Sequence, residues 1–247
     1  MFAFGFTPNQ QVTPLIDFLG RSQSARSFYV IAADNAWGRS ATAVAANRIR
    51  EMGGALLATR YSPPKTVDFA TDIAAVGAAR PDVLIDALEV GDEVAFERQF
   101  RSDPHLAGVK VASLSLDATA ARSVGPPAVG VFVSQDYNSA DPSPATRSWL
   151  AELLTRYGDG AIPSAIGAEV FDATLFMASA IGQAQSPTAG AIASAAAGVS
   201  IQGPRGSVQV ASDAHGYATV SAHIGKVNAA YGVDLLDVSP PIAPNAC

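Results

Sequence analysis

Cysteine occurs once in the 247 residues, as the terminal Cys247, so no intrachain disulfide can form and a multi-cysteine zinc site is excluded. Charge is sparse as well. Charged residues make up 15% of the chain, the net charge is −6, and no run of Lys and Arg stands out. Nucleic-acid binders present a basic face, and none is expected here. No uninterrupted apolar run reaches the roughly 20 residues a bilayer requires. The opening MFAFGFTPNQ lacks the basic region, apolar core and small-residue cleavage site of a secretory signal. There is no G-x-G-x-x-G after a strand, no G-x-x-x-x-G-K-[ST], no H-E-x-x-H and no G-x-S-x-G, so the common nucleotide, zinc-protease and hydrolase signatures are missing. The histidines are His105, His215 and His223. Without a carboxylate cluster beside them they read as surface or hinge residues, and no metal or cofactor is expected.

What is present is an alternation of short apolar runs and helical patterns, in a chain that is 49% hydrophobic and long enough for one large domain or two lobes. The clearest stretch is SFYVIAADNAWGRSATAVAANRIREMGG, residues 27–54. Phe28 to Ala33 is all apolar, as in a parallel strand covered on both faces. After Gly38, residues Ala41, Val44, Ala45 and Ile49 recur at helical steps, and Gly53-Gly54 offers a stop. Small molecules bind beyond the carboxyl ends of strands in open α/β sheets, so Asp34, Asn35 and Trp37 are expected at a cleft.

The cadence continues with strands at 55–61, 83–88, 109–113 and 130–134 and helices at 67–79, 92–100 and 117–123. Such alternation requires a parallel sheet covered by helices, and residues 8–134 are predicted to form a five-stranded, mainly parallel lobe. Three helices follow in a row, at 144–157, 166–183 and 188–197. From Ser207 the pattern turns to strands, SVQV, YATVSAHIGKV and VDLLDV, and the tail from Pro240 has no period and reads as surface.

Several stretches together resemble the type I periplasmic binding proteins: Pro8-Asn9-Gln10 leading into a helix, SFYVIAADNAWGRS, GGALLATRYSPPKTVDFATDIAAVGAARPDVLIDAL, ASLSLD, VFVSQDYNSADPSPATRSWLAELLTRYG and QGPRGSVQVASDAHGYATVSAHIGKV. The branch is that of amide-sensing receptors and of the urea, short-chain amide and branched-chain amino acid receptors of ABC transporters. The resemblance implies an α/β fold of two Rossmann-like lobes with parallel sheets. Family members begin with a further portion of the first lobe, so an incomplete first lobe is expected. Residues 1–7 would be a first-lobe strand, 8–134 the second lobe, 135–206 a helical remainder of the first lobe, and 207–247 the last crossover with strands returning to the second. Helices 144–157 and 166–183 would then show an uncovered apolar face.

By the same resemblance, Thr7 and Pro8 stand at one lobe crossing, and Gln135, Asp136 and Tyr137 at another, as hinge residues. Asn35 and Trp37 follow the family's Asp, Trp37 as a cleft wall or as an aromatic packed under the helix start. Ser115 falls where amide receptors carry a hydroxyl and amino-acid binders often carry Glu. An α-ammonium in a desolvated cleft requires an anion, whereas a neutral amide is satisfied by a hydroxyl. Ser115 therefore favours urea or a short-chain amide, while Glu89 could supply an anion for an amino acid or could simply sit at a solvated helix start. The expected function is a solute receptor feeding an ABC transporter permease, with an amino-acid receptor or a cytoplasmic amide-sensing regulator as alternatives. The family is periplasmic or lipid-anchored; expressed as given, the chain would be cytoplasmic. An α/β enzyme using Asp34, Glu89 or Asp117 is the least favoured reading, since no nucleophile, base and orienting group gather at one strand end.

Overall fold

The computed structural model describes residues 2–158, 160–161, 163–210 and 216–245; His215 and Cys247 lie outside them. Helix α1 (Pro8–Ser22) is followed by β1 (Ser27–Ala33), α2 (Ala36–Glu51), β2 (Ala55–Ser62), α3 (Ala70–Ala79), β3 (Val83–Ala87), α4 (Val90–Ser102), β4 (Lys110–Ser113), α5 (Ala118–Val124) and β5 (Phe132–Gln135). Then come α6 (Pro144–Tyr157), α7 (Ala165–Ala184), α8 (Ala189–Ala196), β6 (Ser200–Gly203), β7 (Gly206–Val210), β8 (Ala218–Thr219), β9 (His223–Val227) and β10 (Val233–Val238).

The large sheet runs β10-β9-β5-β4-β3-β1-β2. The pairings among β1 to β5 are all parallel, as the alternation from 8 to 134 predicts, and β9 and β10 extend the sheet antiparallel. Strands β1 and β3 are apolar nearly throughout because both faces are covered. On one face α1 and α2 bury Leu15, Ile16, Leu19 and Ile49 against Phe28, Val30 and Ile85; on the other, Phe69, Phe96 and Phe100 meet Tyr29, Ile31 and Leu84. Burial of this kind contributes about 1.5–3 kcal/mol per large side chain.

The second sheet, β6-β7-β8, is antiparallel, not parallel as expected of each lobe. It packs Ile201, Val208 and Val210 against Phe176 and Ala180 of α7. The segment YATVSAHIGKV is not one strand. Its first part pairs with β7 in the small sheet and its second with β5 in the large one, so the return to the large sheet starts at His223 rather than at 207. Residues 2–6 form no strand; Ala3 makes a single parallel bridge to Tyr217. The tail is not free surface chain, since Ile242 bridges Val220 and Ala243 and Asn245 bond to Asn9.

Helix α7 is the longest apolar helix: its 20 residues include a window of mean hydropathy 1.3, enough by length and composition to cross a membrane. It nevertheless carries Glu169 and Asp172. One face meets the small sheet, and the other leaves Ile166 67% and Val170 60% exposed, with Tyr157 of α6 70% exposed nearby in sequence order.

Candidate functional site

Parallel pairing sets the carboxyl ends of β1 to β5 along one edge, and the candidate ligand residues lie just beyond it. Asn35 ends the β1 turn in extended backbone and caps α2, its Oδ1 accepting from Gly38 N at 2.9 Å. Its Nδ2 donates to Glu89 Oε1 at 2.7 Å. Glu89 is exposed, and its carboxylate does not cap α4 although it stands at that helix's start. Ser115, beyond β4, donates its hydroxyl to the carbonyl of Leu88 at 2.5 Å. Asn35, Glu89 and Ser115 are thus joined across three adjacent strands.

Trp37 is half-buried and packs against the core under α1 and α2. Gly38 explains how closely α2 approaches its strand: a Cβ there would overlap the carbonyl of Ala33. Arg39, one turn on from Asn35, pairs with Asp34 and lies over the Tyr61 ring with 4.5 Å to its centroid. Arg39 and Tyr61 were not legible as edge residues, because a polar first turn and the last aromatic of a strand carry no period.

Under this edge lie acids that sequence reasoning missed. Asp86 Oδ1 accepts from Leu88 N at 2.8 Å. Burial pushes Asp86 up to about 7 against that one bond. Burial and the charge of Asp86 push Glu97 to about 8, with Arg101 opposing, and burial carries Glu93 well above the carboxylate range. Ser113 Oγ accepts from the Ser115 and Leu116 backbone N–H groups and fixes the turn.

The chain passes between the sheets at residues 4–8, 136–143 and 220–222. Thr7 is buried, its N–H donating to Gln10 Oε1 at 2.9 Å, with Pro8 opening α1. Gln10 Nε2 donates to the carbonyls of Ala218 and Ile242, whereas Gln11 Nε2 donates to those of Leu114 and Ser134 at 2.6 and 2.8 Å. Gln135 Nε2 donates to Leu116 O at 2.9 Å. Tyr137 is buried edge-on to Trp149, 5.3 Å between centroids, and burial then the Asp141 charge raise its hydroxyl pKa. Asp136 is buried against Arg205, which also donates to Asp172 Oδ2 at 2.6 Å and to Phe4 O at 2.7 Å. His223 is not a surface residue: it is buried, 2.7 Å from Asp141 Oδ2.

Residues 1–231 match the family model described as periplasmic binding protein. The chain belongs to that family. No curated protein matches it. Among solved periplasmic binding proteins, a solute-binding protein of an ABC transporter from R. palustris, in complex with benzoate, has a TM-score of 0.88 at 14% identity, over 99% of this chain and 66% of its own. A substrate-binding protein from Sphaerobacter thermophilus gives 0.86 at 18%, over 96% and 66%. A leucine-binding protein from Thermotoga maritima gives 0.83 at 18%, over 95% and 66%. At such identities the likeness is one of fold, and the chain spans 66% of the length of each of these structures.

Proposed function

We propose that this periplasmic binding protein chain supplies one wall and the crossing segments of a solute receptor for an ABC transporter permease, and that its ligand is an amino acid. The observation that carries the ligand class is the exposed Glu89 carboxylate, oriented by Asn35 at the shared strand edge. Ser115 supports the same reading. Its proton is committed to Leu88 O, so toward a ligand the oxygen accepts. Both groups therefore want N–H donors, and a charge-assisted bond to an ammonium is the stronger one. One neighbour of the same fold is a leucine-binding protein, while another is a complex with benzoate. A neutral amide or urea, whose N–H groups the same Ser115 oxygen would accept, is the second reading; for it, Ser115→Ala should cost about 1–3 kcal/mol.

The test is calorimetric titration with leucine, acetamide, urea and benzoate, on the chain and on Glu89→Gln and Ser115→Ala. Leucine should bind and lose at least tenfold in affinity in Glu89→Gln. Leucine binding untouched by that change, or a response to urea and acetamide without one to leucine, overturns the amino-acid reading.

A further inference from the structure

Three acidic side chains that the cleft does not use meet beneath α4. Asp86 lies on β3, and Glu93 and Glu97 are four residues apart on α4, which puts both on the helix face turned to the sheet. All three are buried, and one oxygen from each lies within 4.8 Å of the other two. Asp86 Oδ2 and both oxygens of Glu93 and of Glu97 have no hydrogen-bond partner among the described residues. Ser113 Oγ stands close enough to stabilise a Glu93 charge yet makes no hydrogen bond to it. The cation beside the group is Arg101, 3.8 Å from Glu97 Oε2.

Buried polar groups are normally satisfied, and buried carboxylates cost several kcal/mol each unless paired. Three converging oxygens, one from each of three buried side chains, with no hydrogen bond to either oxygen of Glu93, are therefore a surface shaped for something positive. If all three ionise on binding, Arg101 offsets one of the three negative charges, which leaves two for a divalent occupant. The donors are hard oxygens without histidine or sulfur, the set that suits Ca²⁺, Mg²⁺ or Mn²⁺. Mg²⁺ dehydrates reluctantly and usually keeps several waters, whereas Ca²⁺ accepts a cage of protein oxygens, so a fully buried donor set favours Ca²⁺.

We propose that Asp86, Glu93 and Glu97 form an internal Ca²⁺ site that clamps α4 onto β3. Asp86 is bidirectional in this arrangement: Oδ2 faces the ion and Oδ1 holds Leu88 N, whose residue also carries the carbonyl bonded by Ser115. The ion fixes the strand-end segment that presents Glu89.

The test uses the purified chain, stripped with a chelator and refolded with or without CaCl₂, then desalted. One Ca²⁺ per chain should be retained, and the melting temperature should exceed that of the chelator-treated chain by several degrees. Glu93→Gln and Asp86→Asn should lower retained Ca²⁺ at least tenfold and abolish the thermal gain, while melting no lower than the chelator-treated parent. Mn²⁺ refolded into the parent chain should lose its free-ion paramagnetic resonance signal, a readout that needs no variant to fold. Retention far below one ion per chain with no Ca²⁺-dependent melting shift overturns the proposal. Retention that survives both substitutions does so too.

Discussion

Replacing Arg205 with methionine should be among the most damaging single changes in this chain, with an effect that depends on pH in a defined direction. Arg205 occupies the turn between β6 and β7, and its side chain is 2% exposed. It donates to Asp136 and Asp172, both fully buried, and to the carbonyl of Phe4. Methionine keeps much of the volume and removes the guanidinium that pairs with two internal carboxylates. Breaking a buried pair by deleting one partner costs roughly 3–5 kcal/mol, a large share of the 5–15 kcal/mol that holds an ordinary domain. Burial already raises both aspartates in spite of Arg205, and without the guanidinium they rise further. A carboxylate whose folded pKa is raised weakens the fold as pH climbs above its unfolded value, by about 1.4 kcal/mol per unit and per group until the folded pKa is passed. The gap between parent and variant should therefore be widest near pH 8 and shrink toward pH 4, as the unfolded state also begins to take up the protons. Urea unfolding followed by circular dichroism between pH 4 and 8 measures this. A gap below about 1 kcal/mol at pH 7, or one independent of pH, would refute the assignment of these charges as a coupled internal network.

Glu169 is pushed up to about 9, first by burial and then by Asp136, so its contribution is complete below about 4.5 and is lost as pH rises through 9; Glu169→Gln should flatten the alkaline decline in melting temperature. Gln11→Leu strands the carbonyls of Leu114 and Ser134 and should cost about 1–3 kcal/mol, read from the urea midpoint at constant slope. The exposed Ile166 and Val170 should bind a hydrophobic dye and promote association; an Ile166→Lys, Val170→Glu double variant should lose dye fluorescence and sediment as a smaller species at unchanged melting temperature.

The large sheet was readable because its inner strands are buried on both faces and its connections are short: FYVIAA and VLIDA have no alternation to misread, and each is followed by a helical stripe. The break inside YATVSAHIGKV was not readable. Val220, Ser221 and Ala222 look like strand, and only tertiary pairing decides that Ala218 joins one sheet and His223 another. The four residues of β6 carry too little pattern to register. The acids under α4 did leave a signal. Glu93, Phe96, Glu97 and Phe100 occupy the i, i+3, i+4, i+7 positions of a buried stripe, and all four are buried. Charges at stripe positions are the mark of an internal polar site, whereas the sequence reading considered only Glu89 at this helix start and passed over Glu93 and Glu97. Of the candidate ligand residues, Asn35 and Glu89 lie at strand ends, but their mutual bond depends on β1 and β3 being neighbours, which chain order does not reveal.

The N-terminal turn of α1 shows how the two sheets are held in one body. Gln10 and Gln11 are consecutive, and successive helical residues point about 100° apart. One side chain therefore reaches Ala218 of the small sheet and Ile242 of the tail, and the next reaches Leu114 and Ser134 at the carboxyl ends of β4 and β5 in the large one. Ser134 returns a hydroxyl bond to the Gln11 carbonyl, so this turn is fixed from both sides. Any rotation of one sheet against the other has to bend chain at 4–8, 136–143 and 220–222 while these four carbonyl bonds stay made or exchange together. Asp136, at the start of the second crossing, is bound through Arg205 to Phe4 at the first, and His223, just past the third, is bound to Asp141 of the second. The three crossings are thus bonded to one another, and motion about them is expected as a single cooperative hinge rather than as three independent ones.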